Sequence, residues 1–197
     1  MPRGPSCTAA SHFLRIAFVA ALAASPSAAR SDQHHVYKAA VLERGVYQAG
    51  SEPYAIAQSS AGPVTKVRNA TLVHSTTTIP ARRFIRFGVR YAVTGFPPGA
   101  LVNIKLVTRF PEPGLWDPRT GVRHHRGEYS ITAQIGAQAY REFKFDHPWE
   151  MVPGEWVFEF WHEGKLIGSQ RFCVLEEHQA DLTHEFERSH QCAPVVG

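Results

Sequence analysis

The sequence predicts an all-β protein, an immunoglobulin-like antiparallel β-sandwich with a short C-terminal helix. Hydrophobic residues alternate with polar residues through seven or eight short segments, which is the period of a strand buried on one face. Turns rich in glycine and proline separate these segments, and the sequence has no long helical pattern between them. A closed barrel is the main alternative, because it has the same strand periodicity.

Residues 1–29 have the pattern of a cleavable signal peptide. Arg3 and Arg15 supply positive charge, an apolar run of about ten residues follows, and Ser27 and Ala29 are the small residues that signal peptidase requires. This run is too short for the ~20 residues of a membrane-spanning helix. We therefore predict a periplasmic or extracellular protein with no membrane span after cleavage. A buried N-terminal helix or an uncleaved anchor is the alternative.

Removal of the leader changes the charge balance and defines the remaining organisation. Loss of Arg3 and Arg15 leaves 19 basic and 17 acidic side chains, and a net charge of +2 does not predict nucleic-acid binding. The remaining chain has the size of one domain. We predict an N-terminal strand and linker in residues 30–62, a sandwich core in residues 63–175 and a helical tail in residues 176–197.

The clearest strand lies in residues 84–93, where Phe87 and Val89 fall on one face and Arg86 and Arg90 on the other. Before it we predict a strand in residues 36–47, a linker in residues 50–63 and a strand across residues 64–74. Tight turns are predicted at residues 95–99, 153–154 and 163–164. Further alternating strands begin near Val102, Tyr129, Phe143, Trp156 and Leu166.

Two cysteines remain after the predicted cleavage, because Cys7 lies in the leader. Cys173 and Cys192 form an even pair in an oxidising compartment, which favours one disulfide; two free thiols or an intermolecular bridge are the alternatives. Phe172 and Val174 are expected to point into the core, so we expect Cys173 to point outward. A bridge would then hold the predicted helical tail over the outer face of the sheet.

A series of short motifs runs through residues 78–174. They are Ile79-Pro80-Ala81, Arg86-Phe87-Gly88-Val89-Arg90-Tyr91, Gly95-Phe96-Pro97-Pro98-Gly99, Phe143-Lys144-Phe145-Asp146, Trp149-Glu150-Met151-Val152-Pro153-Gly154-Glu155-Trp156, Gly164-Lys165-Leu166 and Phe172-Cys173-Val174. In this order they resemble the bacterial domain-of-unknown-function family numbered 3859. The resemblance implies an exported domain. It implies no catalytic residues, since the family has no assigned activity.

The candidate binding residues lie in residues 110–128, the longest irregular stretch between predicted strands. They are Trp116, Arg119, Arg123, His124, His125 and Arg126. An aromatic ring beside guanidinium donors suits an anionic sugar, a peptide carboxylate or a phosphate group. Loops at one end of a sandwich are common binding surfaces. We therefore predict a non-catalytic binding or accessory module of the bacterial envelope that recognises a protein, peptide or glycan. A solvated loop is the alternative.

A periplasmic hydrolase built on Asp146, His147 and Glu150 is the second hypothesis. These residues are close in sequence, and acid/base catalysis requires two carboxylates, or a histidine with an orienting partner, at one substrate atom. The alternative is a structural corner before a strand, in which Asp146 caps backbone amides and Trp149 fills the core. The sequence contains no Gly-x-Ser-x-Gly or Ser-x-x-Lys motif for a nucleophile.

A histidine-rich metal protein is the third hypothesis. The histidines concerned are His34, His35, His124, His125, His178, His184 and His190. Adjacent histidines on a strand point to opposite faces, and a spacing of six places residues on different sides of a helix. The sequence has no Cys-x-x-Cys and no His-Glu-x-x-His motif. We therefore predict no metal site and no cofactor.

Overall fold

A computed structural model describes residues 34–48, 54–59, 62–66, 69–176 and Cys192. The predicted signal peptide in residues 1–29 lies outside the described residues. So does the predicted helical tail in residues 176–197, apart from its first residue and Cys192. In the described part of the chain, no helix is long and apolar enough to cross a membrane.

The described residues form thirteen β-strands and a single 3-10 turn, η1. In chain order these are β1 His35–Gln48, β2 Tyr54–Ser59, β3 Gly62–Lys66, β4 Thr71–Ser75, β5 Thr78–Pro80, β6 Arg86–Phe96, β7 Leu101–Arg109, β8 Leu115–Asp117, β9 Val122–His124, β10 Arg126–Gln134, β11 Gln138–Lys144, η1 Pro148–Glu150, β12 Gly154–His162 and β13 Lys165–Leu175.

Two sheets form the sandwich. One has the strand order β11-β6-β1-β4, and the other has the order β10-β7-β12-β13-β5. Pairing is antiparallel except between β5 and β13. The chain crosses between the sheets after β4, β5, β6, β10 and β11, and the last three are the Greek-key crossings of an immunoglobulin-like sandwich. The predicted all-β sandwich is confirmed, and the separate edges of the two described sheets exclude the closed-barrel alternative. The short C-terminal helix of that prediction lies outside the described residues.

The core is built mainly from the inward faces of β6, β7, β12 and β13. Phe87, Val89, Tyr91 and Val93 are all at most 1% exposed, as the alternation in residues 84–93 predicts. The Phe87 ring lies within 6.1 Å, centroid to centroid, of five other aromatic rings. They belong to Phe143, Phe145, Trp156, Phe158 and Phe172. Aromatic packing therefore joins the two sheets.

The turn between β12 and β13 also forms as predicted. Glu163 has φ 48° and Gly164 has φ 77°, and His162 pairs directly with Lys165. Two consecutive residues with positive φ are typical of a type I′ turn, whose twist matches that of the flanking strands. The turn sets the pairing of Trp161 and His162 with Leu166 and Lys165, and a bulge between Phe160 and Trp161 shifts the register of the rest of the pair.

Two predictions for the N-terminal half are wrong. The strand predicted across residues 64–74 is divided into β3 and β4, and Asn69, at φ 53°, lies between them in the left-handed region. The linker predicted in residues 50–63 contains β2, which forms a hairpin with β3. Pairing partners decided both cases: β3 pairs with β2, whereas β4 pairs with β1. A pattern within one segment carries no information about its partner.

The predicted disulfide joins Cys173 and Cys192. Phe172 and Val174 are buried, so the side chain of Cys173, between them, points away from the core, as predicted. The path of the predicted helical tail over the outer face lies outside the described residues.

Candidate binding site

The stretch predicted to be irregular in residues 110–128 contains a small hairpin, so that part of the prediction is wrong. Strands β8 and β9 pair antiparallel. The loop between them begins at Asp117, whose Oδ1 accepts a hydrogen bond from the Arg119 backbone amide at 2.8 Å. Gly121 closes the loop with φ 67°, and its amide donates to the Asp117 carbonyl at 2.9 Å. Asp117 and Gly121 therefore stabilise the tight loop that joins these two short strands.

The hairpin presents one aromatic residue and one cation on its outer face. Trp116 and Arg123 are direct cross-strand partners, and Trp116 is 45% exposed although its neighbours Leu115 and Asp117 are buried. The Arg123 guanidinium lies 5.5 Å from the centroid of the Trp116 ring. Its Nη1 also donates to the Pro113 carbonyl at 3.3 Å. The hairpin therefore displays a cation–π pair to solvent.

The other predicted binding residues are spread around this pair. Arg119 is bound by Asp117, with Nε–Oδ1 at 3.2 Å and Nη2–Oδ2 at 3.1 Å. His125 lies 3.5 Å from Glu112, and Arg126 lies 3.6 Å from Glu128. His124 pairs with Leu115, on the hairpin face opposite to Trp116. The six residues therefore do not form one surface.

A cleft of about 230 Å³ lies on the inner side of the hairpin. It is lined by residues of the hairpin segment, of β10 and β11, and of η1. The lining residues that matter for its chemistry include Arg119, Arg141, Lys144, Asp146, His147 and Glu150. The cleft therefore brings one predicted binding residue, Arg119, together with the three residues of the hydrolase hypothesis.

The acidic residues of this cleft have structural partners. Glu150 Oε2 accepts hydrogen bonds from the backbone amides of Asp146 at 2.6 Å and His147 at 2.7 Å, which caps η1. Asp146 forms an ion pair with Lys144. Burial raises the pKa of Glu150, although its two amide hydrogen bonds oppose that rise. This geometry is that of a capped turn, in which Glu150 points at its neighbours' backbone rather than at a shared substrate position.

Arg141 is the most buried charged residue that lines the cleft, with 3% exposure. The binding residues predicted from the sequence do not include Arg141, although the sequence contains a signal for it. Arg141 has the same strand parity as Phe143 and Phe145, so the alternation places it on the inward face. Charged residues are rarely buried unless they are paired, so a cation at an inward strand position indicates a buried charge that needs an explanation.

No described group of three histidine, cysteine or acidic side chains is placed to hold a metal ion. That statement covers four of the histidines of the metal hypothesis, which are His34, His35, His124 and His125. His178, His184 and His190 lie outside the described residues.

The ion pair that closes the hairpin loop makes a testable contribution to stability. The hydrogen bond from the Arg119 side chain holds the pKa of Asp117 below its ordinary value. A carboxyl group with a lowered folded-state pKa stabilises the fold above its unfolded pKa of about 3.9, and this stabilisation is lost as the pH falls through the folded pKa. We expect Asp117→Asn to be less stable than wild type at pH 7 and the difference to shrink below about pH 4. Urea unfolding between pH 7 and pH 3 measures this, and a difference that does not change with pH contradicts it.

The fold and the cleft together define an immunoglobulin-like β-sandwich with a cation–π pair on an end hairpin and a polar-aromatic cleft beneath it. The chain belongs to the DUF3859 family, a domain of unknown function whose profile matches residues 36–174. The resemblance seen in residues 78–174 is thereby confirmed and extends to include β1.

Among solved structures, the chain is similar to an immunoglobulin-like protein from Pseudomonas aeruginosa, with 23% identity over 70% of this chain and 97% of that chain and a TM-score of 0.47. Lower similarity is found to an alkylpurine DNA glycosylase from Pseudomonas fluorescens (16% identity, 50% of this chain, 27% of that chain, TM-score 0.34). A β-glucosidase from Erythrobacter marinus has 14% identity over 67% of this chain and 16% of that chain, with a TM-score of 0.29. No curated protein matches the chain.

Proposed function

We propose that this protein is an exported, non-catalytic binding module of the bacterial envelope. It recognises a protein, peptide or glycan through the outer face of the β8–β9 hairpin. The observation that carries this proposal is the exposed pair of Trp116 and Arg123, whose guanidinium lies 5.5 Å from the indole centroid. Tryptophan and arginine are the residues most enriched in binding hot spots.

The pair is preorganised, which lowers the entropic cost of binding. Arg123 is held at one end by the Pro113 carbonyl and lies along the Trp116 ring, while Asp117 anchors the loop that joins their strands. A flat aromatic face beside a cation suits the face of a sugar ring, a peptide carboxylate or a carboxylated sugar.

The disulfide and the leader pattern support the exported location. A disulfide between Cys173 and Cys192 persists in an oxidising compartment such as the periplasm. The basic, apolar and small-residue order of residues 1–29 is the pattern that directs a chain there.

The test is the capture of partners from envelope extract and on a glycan array. We expect the double variant Trp116→Ala/Arg123→Ala to lower the recovery of a specific partner at least about tenfold, because hot-spot truncations cost 2 kcal/mol or more. The matched control is Tyr37→Ala/Arg171→Ala, which removes an exposed aromatic ring and an exposed arginine elsewhere on the sandwich. Equal recovery of every partner by wild type and by the hairpin variant would sink the proposal.

A further inference from the structure

We infer that the cleft beneath the hairpin is a binding site for a small organic carboxylate, with Arg141 as its counter-charge and aromatic side chains as its walls. The site goes beyond the proposed function, because it uses the inner side of the hairpin and not the outer Trp116–Arg123 face. Either site can exist without the other.

The first observation is the environment of the Arg141 guanidinium. It is 3% exposed, and its two hydrogen bonds run to uncharged oxygens: Nη1 donates to the Glu159 carbonyl at 2.9 Å, and Nη2 donates to Thr108 Oγ1 at 2.7 Å. Its Cζ lies 4.7 Å from the Phe158 ring centroid and 5.5 Å from that of Phe160. These contacts fix the position of the group, and none of them is to a charged oxygen.

The second observation is that no described carboxylate forms an ion pair with Arg141. The Glu159 carboxylate is occupied by Arg109, with Nε–Oε1 at 2.6 Å, and by the Trp161 indole at 2.9 Å. The nearby Tyr91 phenol stays neutral, because burial raises its pKa to about 12. Burial also lowers the pKa of Arg141, although the nearby Tyr129 and Tyr91 phenols and the Glu159 carboxylate oppose that shift.

The other cations of the cleft are already neutralised. Arg119 is paired with Asp117, and Lys144 is paired with Asp146. Glu142, which also lines the cleft, is paired with Arg86. The Glu150 carboxylate is held by the backbone amides of Asp146 and His147. Of the lining arginine and lysine side chains, only Arg141 lacks an ion-pair partner among the described residues, which matches a monoanion such as a carboxylate better than a phosphate dianion. A guanidinium presents the fork of N–H donors that a carboxylate accepts.

The third observation is the character of the walls. Phe110, Tyr129, Phe143 and Trp149 line the cleft, and the His147 ring stacks on Trp149 with 5.7 Å between centroids. The volume of about 230 Å³ is smaller than a typical drug-sized site of ~300–1,000 Å³. The cleft therefore suits a single carboxylate carried on one compact apolar or planar group.

A purely structural role does not require a charge at this position. An apolar side chain of similar volume would fill the space between the sheets without the desolvation cost of a buried cation. The placement of a guanidinium at the inner end of an open cleft is explained by a ligand that supplies the missing negative charge.

The experiment compares 3-phenylpropionate with its neutral isostere 3-phenylpropanamide, using NMR titration of the purified protein at pH 7. We expect the carboxylate to shift the Trp149 indole N–H signal and to bind at least about tenfold more tightly than the amide, a difference of ~1.4 kcal/mol. We expect inorganic phosphate to bind more weakly than 3-phenylpropionate. The Trp116 signal on the outer face is expected to stay unchanged.

Two variants assign the effect to Arg141. We expect Arg141→Met to abolish the preference for carboxylate over amide, whereas Arg171→Met, which removes an exposed guanidinium outside the cleft, keeps it. The comparison of carboxylate with amide on wild type decides the question even where Arg141→Met does not fold. Equal binding of carboxylate and amide, phosphate binding as tight as the carboxylate, or no Trp149 shift at about 10 mM ligand each overturns the inference. Loss of outer-face partners in the Trp116→Ala/Arg123→Ala variant bears on the hairpin proposal alone.

Discussion

Phe87→Ala is expected to lower the free energy of unfolding by about 4 kcal/mol, within the ~3–5 kcal/mol range of a fully buried phenylalanine. Phe87 has 0% exposure and touches aromatic rings from both sheets. Its removal leaves a cavity that rigid ring neighbours cannot close. The loss is a large part of the ~5–15 kcal/mol that stabilises a domain of this kind. Urea or thermal unfolding followed by near-UV circular dichroism measures it.

The matched control for this variant is Phe96→Ala, which removes the same ring from an exposed position at the end of β6. We expect a change within about 0.5 kcal/mol there. Similar destabilisation by both substitutions, or a loss below about 1 kcal/mol at Phe87, would show that the aromatic cluster does not hold the sheets together.

Glu142→Ala is expected to cost about 3–5 kcal/mol, because it leaves a buried cation without its partner. Glu142 forms an ion pair with Arg86, and the two side chains are only 7% and 8% exposed. Glu142 Oε2 also accepts a hydrogen bond from the Tyr140 hydroxyl at 2.7 Å. The substitution therefore leaves the Arg86 guanidinium and the Tyr140 hydroxyl without their partner. Chemical denaturation at pH 7 measures the loss in the free energy of unfolding.

Two control variants distinguish the effect of burial from the effect of leaving one charge unpaired. Glu155→Ala breaks the exposed pair with Arg171, at 3.4 Å, and is expected to cost about 0–1 kcal/mol. The double variant Arg86→Met/Glu142→Leu removes both charges and is expected to recover most of the stability lost in Glu142→Ala. If the double variant is less stable than the single variant, the penalty does not come from an unpaired charge.

Local sequence patterns predicted the elements that depend only on residues close together in the chain. The alternation in residues 84–93 placed Phe87 and Tyr91 in the core, and Glu163-Gly164 predicted the turn that joins β12 to β13. The position of Cys173 between two inward residues predicted its outward direction. In each case the information lies within a few residues, since strand parity and turn dihedrals are local properties.

Local sequence patterns did not predict the elements whose structure depends on a distant pairing partner. Residues 64–74 contain strand-forming residues, yet β3 and β4 pair with different strands. The hairpin β8–β9 was missed because three-residue strands are too short to show a period. Arg141 has the parity of an inward residue, but only its neighbours on β7 and β12 show that its charge is unpaired.

The sequence alone predicted the all-β class, and it favoured the pairing of Cys173 with Cys192 that the structure shows. The leader in residues 1–29 and the binding residues remain predictions. Only the tertiary structure decided which of those residues meet. It placed Arg119 in the cleft and Trp116 and Arg123 on the outer face of the hairpin. It also directed Glu150 to the backbone amides of Asp146 and His147 and brought Arg141 into the lining of the cleft. The physical reason is that periodicity and turn preferences act over a few residues, whereas a site forms from side chains that sheet packing brings together from distant segments.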